Sequence, residues 1–186
     1  MNMKNQKITI IILSVVLVLL IAVSVWAYGS FSEDYVTNET ADVTTTADDT
    51  KEIVTTTDFT MTDKSGNTVK LSDYFGKPIV VNFWASWCSP CKSEMPHFEE
   101  AYKEYGSDMH FIMVNVGDSH SEAYEFADKS GYTFPVYHDS NYSGTYAYGV
   151  SSIPQTLFIN SDGELVNSYT GMMSKAALQS NIEKIK

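Results

Sequence analysis

The sequence contains no arginine, and only two of its 186 residues are cysteine. Its 23 acidic residues outnumber its 12 lysines, which gives a net charge of −11 at pH 7. Because nucleic-acid binding requires positive charge to neutralise phosphates, this composition disfavours a nucleic-acid partner. The two cysteines, Cys88 and Cys91, are too few for a disulfide-rich miniature fold or for a zinc ribbon with four cysteine ligands. Any chemistry of these cysteines must therefore involve the two of them acting together as a pair of sequence neighbours.

Residues 8–28 form a long hydrophobic run without a single charge. Such a run is about long enough to cross ~30 Å of hydrocarbon. Lys4 and Lys7 precede it and the first charges after it are acidic, so the positive-inside rule places residues 1–7 in the cytoplasm. We predict a cytoplasmic stub, a single-pass signal-anchor helix in the cell membrane and an extracytoplasmic remainder. A cleaved signal peptide, which would leave a secreted protein, is the alternative.

Residues 29–52 differ in composition from the rest of the chain. They are rich in threonine and acidic residues, with Lys51 as the one positive charge. Large apolar side chains are sparse there, so we predict a flexible acidic linker. Residues 53–186 then form one domain, and an overall hydrophobic content of 44% is sufficient for a core.

The pattern of apolar residues in this domain predicts alternating strands and helices. A β-hairpin at its N-terminal side is followed by a short turn that Ser72 would cap, and a second hairpin precedes the last helix. This order indicates an α/β fold with a mixed central sheet flanked by helices. The predicted strands are 58–63, 68–71, 79–84, 110–115, 135–137, 155–159 and 166–170; the predicted helices are 89–105, 119–130 and one that starts at Ser174.

Cys88 and Cys91 lie where a buried strand gives way to a helix. Unpaired N–H groups and the positive end of the helix dipole stabilise a thiolate at Cys88 and lower its pKa. Cys91, one turn further on, is close enough to attack a mixed disulfide formed at Cys88. Cys88 is thus predicted to be the exposed nucleophile and Cys91 the buried resolving thiol.

Other uses of the cysteine pair fit the sequence less well. A structural disulfide would close a loop of four residues and constrain little chain entropy. A zinc site needs two further ligands, and the four histidines show no paired ligand spacing, so no metal site is predicted. A redox role is therefore favoured.

Several motifs resemble those of the thioredoxin superfamily, and in particular its TlpA/ResA-type membrane-anchored thiol-disulfide oxidoreductases. WASWCSPCK follows the strand VVNFW, and Lys92–Pro96 is similar to the second half of a C-x-x-C-x-x-E-x-P signature. Asn82 stands where cytoplasmic thioredoxins carry a buried aspartate. Residues 66–73 resemble the family's G-x-x-V-x-L-S-D entry, and residues 152–159 resemble the superfamily's cis-proline loop and the strand after it. The resemblance implies a thioredoxin-like fold.

The same resemblance implies roles for individual residues. Cys88 and Cys91 would form the redox-active disulfide. Pro154 would be cis and packed against it, and the backbone of Ile153 would bind an extended substrate segment. An ordinary trans proline before a strand is the alternative for Pro154.

Glu94 and two tryptophans are also implicated by the resemblance. Glu94 would tune thiol acidity or relay a proton, the alternative being an ordinary carboxylate favoured by the helix dipole. Trp87 would face the partner protein, whereas Trp84 is expected to pack in the core.

We expect a tethered disulfide reductase that uses no cofactor. It would take electrons from a membrane-embedded thiol donor and reduce exported client proteins, such as apocytochrome c or methionine sulfoxide reductases. The Ser-Pro dipeptide between the cysteines lacks the histidine of strongly oxidising relatives, which favours reduction. A disulfide-forming thiol oxidase and a copper metallochaperone of thioredoxin fold remain as alternatives. An exported peroxiredoxin is disfavoured, because Ala85 occupies the position where such enzymes carry Thr or Ser.

Overall fold

The computed structural model describes residues 15–24 and 55–186. The predicted stub (1–7), the linker (29–52) and both ends of the predicted anchor lie outside these residues. Residues 15–24 form a helix, α1, whose apolar side chains are exposed. Within the described parts of the chain, no helix has both the length and the hydropathy needed to cross a membrane.

Residues 55–186 contain one mixed sheet of seven strands with helices on its faces. Both hairpins form as predicted, and a 3₁₀ turn at Leu71–Tyr74 follows the first of them. The strands are β1 (Thr60–Thr62), β2 (Thr68–Lys70), β3 (Ile79–Trp84), β4 (His110–Asn115), β5 (Val136–His138), β6 (Gln155–Ile159) and β7 (Leu165–Thr170); the helices are α2 (Ser89–Tyr105), α3 (His120–Ser130), α4 (Ser143–Ala147) and α5 (Lys175–Ile182).

The strands lie in the order β2-β1-β5-β4-β3-β6-β7. The three inner strands β5, β4 and β3 run parallel to one another, because α2 and α3 cross over between them. The two hairpins extend the sheet with antiparallel strands, β1 beside β5 and β6 beside β3. This topology puts the carboxyl end of β3, and hence the start of α2, next to the amino end of β6.

Side chains of β3 alternate between two hydrophobic clusters. Val80 and Trp84 pack in the cluster formed with α2, α3 and α5, whereas Val81 and Phe83 pack in the cluster under the 3₁₀ turn and α4. The period of two residues places Asn82 on the α2 side. A polar side chain is thereby inserted into the core directly beneath the helix that carries the cysteines.

The structure corrects two details of local structure. Ser72 lies inside the 3₁₀ turn rather than before it, because the capping position is Lys70, two residues earlier, whose backbone N–H donates to the carboxylate of Asp73. Helix α4 was not predicted, since its five residues are too few to show a helical period. The carboxylate of Asp139 holds α4 by accepting hydrogen bonds from the backbone N–H groups of Gly144 and Thr145.

Candidate active site

A disulfide joins Cys88 and Cys91 at the amino end of α2. Cys88 is the N-cap residue of the helix, and its Sγ accepts a hydrogen bond of 3.2 Å from the backbone N–H of Cys91. Pro90 lies in the first turn, where its missing N–H leaves no helical hydrogen bond unmade. The same N–H group and the helix dipole would stabilise a thiolate at Cys88 after reduction.

The two sulfur-bearing residues differ in their exposure, although less than predicted. Cys88 exposes 5% of its surface and Cys91 none. Cys88 is therefore the residue that a partner reaches first, but it is not freely exposed. The carbonyl oxygen of Ile153 lies 3.8 Å from Cys88 Sγ and covers one side of it.

Ile153 and Pro154 are joined by a cis peptide bond in the loop before β6. Pro154 is buried and Ile153 is half-buried. The carbonyl oxygen of Pro154 accepts a hydrogen bond of 2.8 Å from the N–H of Gly171, which follows β7. Ladder pairing of β6 with β3 begins only at Gln155, so the backbone of Ile153 lies beyond that ladder.

Glu94 is fully buried on the face of α2 that also carries Cys91, one turn earlier. Its Oε1 accepts a hydrogen bond of 2.9 Å from Asn82 Nδ2, and its Oε2 accepts one of 2.7 Å from the backbone N–H of Met173. Burial raises the pKa of Glu94 from 4.5 to about 7, against the opposing effect of these two hydrogen bonds. Glu94 lies beyond the first turn and is not an ordinary surface carboxylate of a helix terminus.

Asn82 connects Glu94 to β6. Its Nδ2 also donates to Thr156 Oγ1 at 3.0 Å, whereas its Oδ1 has no hydrogen-bond partner within the described part of the chain. The amide thus donates one hydrogen bond to the carboxylate of Glu94 and adds no charge beside it. An aspartate at this position would instead place a second negative charge there.

Trp84 and Trp87 occupy opposite environments, as expected from their neighbours. Trp84 ends β3 and is fully buried. Trp87 precedes Cys88 and exposes 64% of its surface. Met172, in the loop after β7, is also exposed, and the next residue donates its N–H to Glu94.

Three site features could not be predicted from the sequence. The contacts of Met173 with Glu94 and of Thr156 with Asn82 join residues more than 70 positions apart. A third contact links Asp118, in the loop between β4 and α3, to Ser86. No motif marks Met173 or Asp118. Among the described residues, no group of three or more His, Cys, Asp or Glu side chains is arranged to hold a metal ion.

Comparisons with known proteins identify the family of the chain. A model of the AhpC/TSA family matches residues 54–168. The thiol-disulfide oxidoreductase ResA of Geobacillus kaustophilus is 35% identical over 185 residues, which cover 99% of this chain and 99% of that protein. ResA of Bacillus subtilis is 36% identical over 129 residues, 69% of this chain and 72% of that protein.

A solved structure gives the same result for the fold. The exposed lipoprotein thioredoxin Etrx1 of Streptococcus pneumoniae is 34% identical and superposes with a TM-score of 0.58, covering 69% of this chain and 99% of that chain. The fold is thioredoxin-like, as predicted. The chain therefore belongs to the AhpC/TSA family, within which it is a ResA-type thiol-disulfide oxidoreductase with Cys88 and Cys91 as its Cys-x-x-Cys pair.

Proposed function

We propose that this oxidoreductase works as a reductase of exported proteins, held at the outer face of the cell membrane by residues 8–28. The observation that carries the proposal is the Cys88–Cys91 disulfide at the start of α2, in which Cys88 alone of the two residues retains accessible surface. The Ser-Pro dipeptide between the cysteines adds no cationic group that would stabilise the thiolate further. A less stabilised thiolate corresponds to a more reducing pair.

Reduction of a client proceeds by two thiol-disulfide exchanges. The thiolate of Cys88 attacks one sulfur of the client disulfide, which forms a mixed disulfide and releases the first client thiolate. The thiolate of Cys91 then attacks Cys88 Sγ, which releases the second client thiolate and forms the Cys88–Cys91 disulfide. Two electrons pass to the client, and a membrane-embedded dithiol returns two electrons to the enzyme.

Glu94 supplies the proton acceptor that the second exchange requires. Cys91 is fully buried, so its thiol needs an internal base before it can attack. Glu94 lies one helical turn away, and its pKa of about 7 lets it take up and return a proton near neutral pH. Its hydrogen bonds to Asn82 and Met173 hold the carboxylate in place throughout.

Ile153 and Trp87 form the proposed binding surface for the client. The carbonyl of Ile153 lies beside Cys88 Sγ, and its backbone is outside the β3–β6 ladder. An extended client segment could pair with it as an added strand, which would set its disulfide against Cys88. The exposed indole of Trp87, the residue before Cys88, offers apolar contact area to the client.

A trapping experiment tests this function. The Cys91→Ser chain keeps the nucleophile but cannot resolve the mixed disulfide, so it should accumulate covalent complexes with exported proteins, whereas Cys88→Ser should trap none. The midpoint potential decides the direction, and a reductase is expected near the reducing end of a range of about −270 to −120 mV. A potential above about −150 mV would refute the reductase and favour a disulfide-forming oxidase. Copper uptake by the dithiol form without any trapped protein would instead favour a metallochaperone.

A further inference from the structure

The carboxylate of Asp118 holds the turn that carries Trp87 and Cys88. Its Oδ2 accepts a hydrogen bond of 2.7 Å from the backbone N–H of Ser86, and its Oδ1 accepts one of 2.8 Å from Ser86 Oγ. Ser86 lies only two residues before Cys88. A loop that follows β4 is thereby fastened to the loop that follows β3, at the edge of the sheet where the disulfide lies.

Gly117, the neighbour of Asp118, provides the surface against which Trp87 rests. Its φ is +92°, and a Cβ atom at this position would lie 3.4 Å from Trp87 Cζ2. The backbone N–H of Val116 also donates to the carbonyl of Trp84 at 2.8 Å. Successive residues 116–118 therefore contact β3 and the turn after it, and Asp118 supplies the side-chain hydrogen bonds to that turn.

Asp118 is itself held in position from two sides. Asn115 Nδ2 donates to its Oδ2 at 2.7 Å. His138 Nε2 lies 2.7 Å from the backbone carbonyl oxygen of Asp118. Because a carbonyl only accepts, this ring nitrogen must carry the hydrogen. The carboxylate is thus a fixed acceptor rather than a mobile surface group.

We propose that Asp118 is a positioning residue for thiol-disulfide exchange. It fixes the Ser86–Cys88 turn, so that Trp87 stays exposed beside the active site and Cys88 Sγ faces the Ile153 carbonyl. The inference deepens the proposed function, on which it rests. Exchange requires the attacking sulfur to be aligned with the sulfur it attacks, and a displacement of about 1 Å can cost a large factor in rate. Without the Asp118 carboxylate, the backbone N–H and the hydroxyl of Ser86 would both lose the acceptor that holds the turn.

Two substitutions separate the hydrogen bonds of Asp118 from its charge. Asp118→Ala removes every side-chain acceptor. Asp118→Asn removes the charge but keeps the shape: its carbonyl oxygen can accept from Ser86 N–H and Asn115 Nδ2, and its amide can donate to Ser86 Oγ, since a hydroxyl also accepts. Asp128→Ala is the matched control, because it removes an exposed carboxylate of α3 that pairs with Lys64.

The test measures two properties of the full-length chains. The first is the rate constant for reduction of oxidised insulin by the dithiol form. The second is acrylamide quenching of Trp87 fluorescence, obtained as the difference from the same chain carrying Trp87→Phe. We expect Asp118→Ala to lower the rate about tenfold or more and to change the quenching of Trp87. Asp118→Asn and Asp128→Ala should stay within about twofold of the parent chain in rate and should leave the quenching unchanged.

Two results would overturn the proposal. One is an Asp118→Ala chain whose rate and quenching equal those of the parent chain. The other is an Asp118→Asn chain that loses as much rate as Asp118→Ala, which would assign the effect to charge.

If circular dichroism shows that Asp118→Ala does not fold, Ser86→Ala replaces it. Its expected loss of rate is two- to threefold, about the effect of one hydrogen bond, and no loss would refute the inference. If the parent chain fails to reduce insulin, the proposed reductase fails, and the quenching comparison still decides whether Asp118 holds the turn.

Discussion

Replacement of Glu94 by glutamine is expected to change how the stability of the domain depends on pH. Glu94 is fully buried, and its pKa is raised from 4.5 to about 7 by burial. In the unfolded chain the carboxyl returns to an ordinary pKa. Between pH 4.5 and 7, the folded state therefore keeps a proton that the unfolded state has lost. Stability falls as pH rises wherever the folded state binds more protons.

The size of the effect follows from the two pKa values. A change in pKa from 4.5 to about 7 corresponds to about 3 kcal/mol in the free energy of unfolding. This contribution is fully present below pH 4.5, declines through the interval and is lost above pH 7. Glutamine cannot ionise, so the Glu94→Gln chain should lack this decline.

Glutamine is a suitable replacement because the surrounding groups can accommodate it. Its carbonyl oxygen can accept from the N–H of Met173, as Glu94 Oε2 does. Its amide needs an acceptor, and rotation of the Asn82 amide would offer Oδ1, which has no partner among the residues that the structure describes. The rotated Nδ2 would then take the position at which Oδ1 has no partner, so the substitution has a cost, but this cost is independent of pH.

Urea unfolding of the oxidised, full-length chain at several pH values between 4 and 8 measures the effect. The difference in unfolding free energy between the parent and Glu94→Gln should change by about 3 kcal/mol across this interval. Glu104→Gln, an exposed substitution on the same helix, is the control and should show no such trend. A parent-minus-variant difference that is constant with pH would refute the raised pKa and, with it, the proposed proton acceptor.

Four further predictions concern packing and positioning. Trp84→Ala should lower the free energy of unfolding by about 3–5 kcal/mol, because this side chain is fully buried. Trp87→Ala should change it by about 0.5 kcal/mol or less while slowing exchange with a protein substrate, because its indole is exposed beside the nucleophile. Gly144→Ala should cost about 1–3 kcal/mol, since the new Cβ would lie 2.7 Å from the ring of Phe59. Asp139→Ala should cost about 1–3 kcal/mol, because two buried or half-buried N–H groups at the start of α4 lose their acceptor.

Thermal and denaturant unfolding of these variants measures the predicted changes in stability, and the rate of reduction of a protein disulfide measures the predicted effect of Trp87→Ala on exchange. Equal losses for the two tryptophan variants would contradict the assigned difference in burial. An unchanged midpoint for Gly144→Ala would show that the Phe59 ring yields to a methyl group. Asp139→Ala with full stability would mean that α4 is held by its other contacts.

The central strands and the first long helix could be predicted from the sequence alone. Strands 79–84 and 110–115 are largely apolar runs, and helix 89–105 has a clear apolar face; their predicted bounds equal those observed. Such elements are determined by local periodicity and burial, which a sequence displays directly. Helix α4 has five residues, too few to show such a period, and it depends on a carboxylate outside the helix.

The active site divides in the same way. The spacing of Cys88 and Cys91 at the start of a helix determined the redox pair, because helix geometry and dipole act over a single turn. Resemblance to known relatives added Glu94 and Pro154, but not the surroundings of either residue. Only the tertiary structure decided that Asn82 and Met173 hold Glu94 and that Asp118 fastens the turn before Cys88. These contacts depend on how distant loops meet at one edge of the sheet, and no local pattern of residues carries that information.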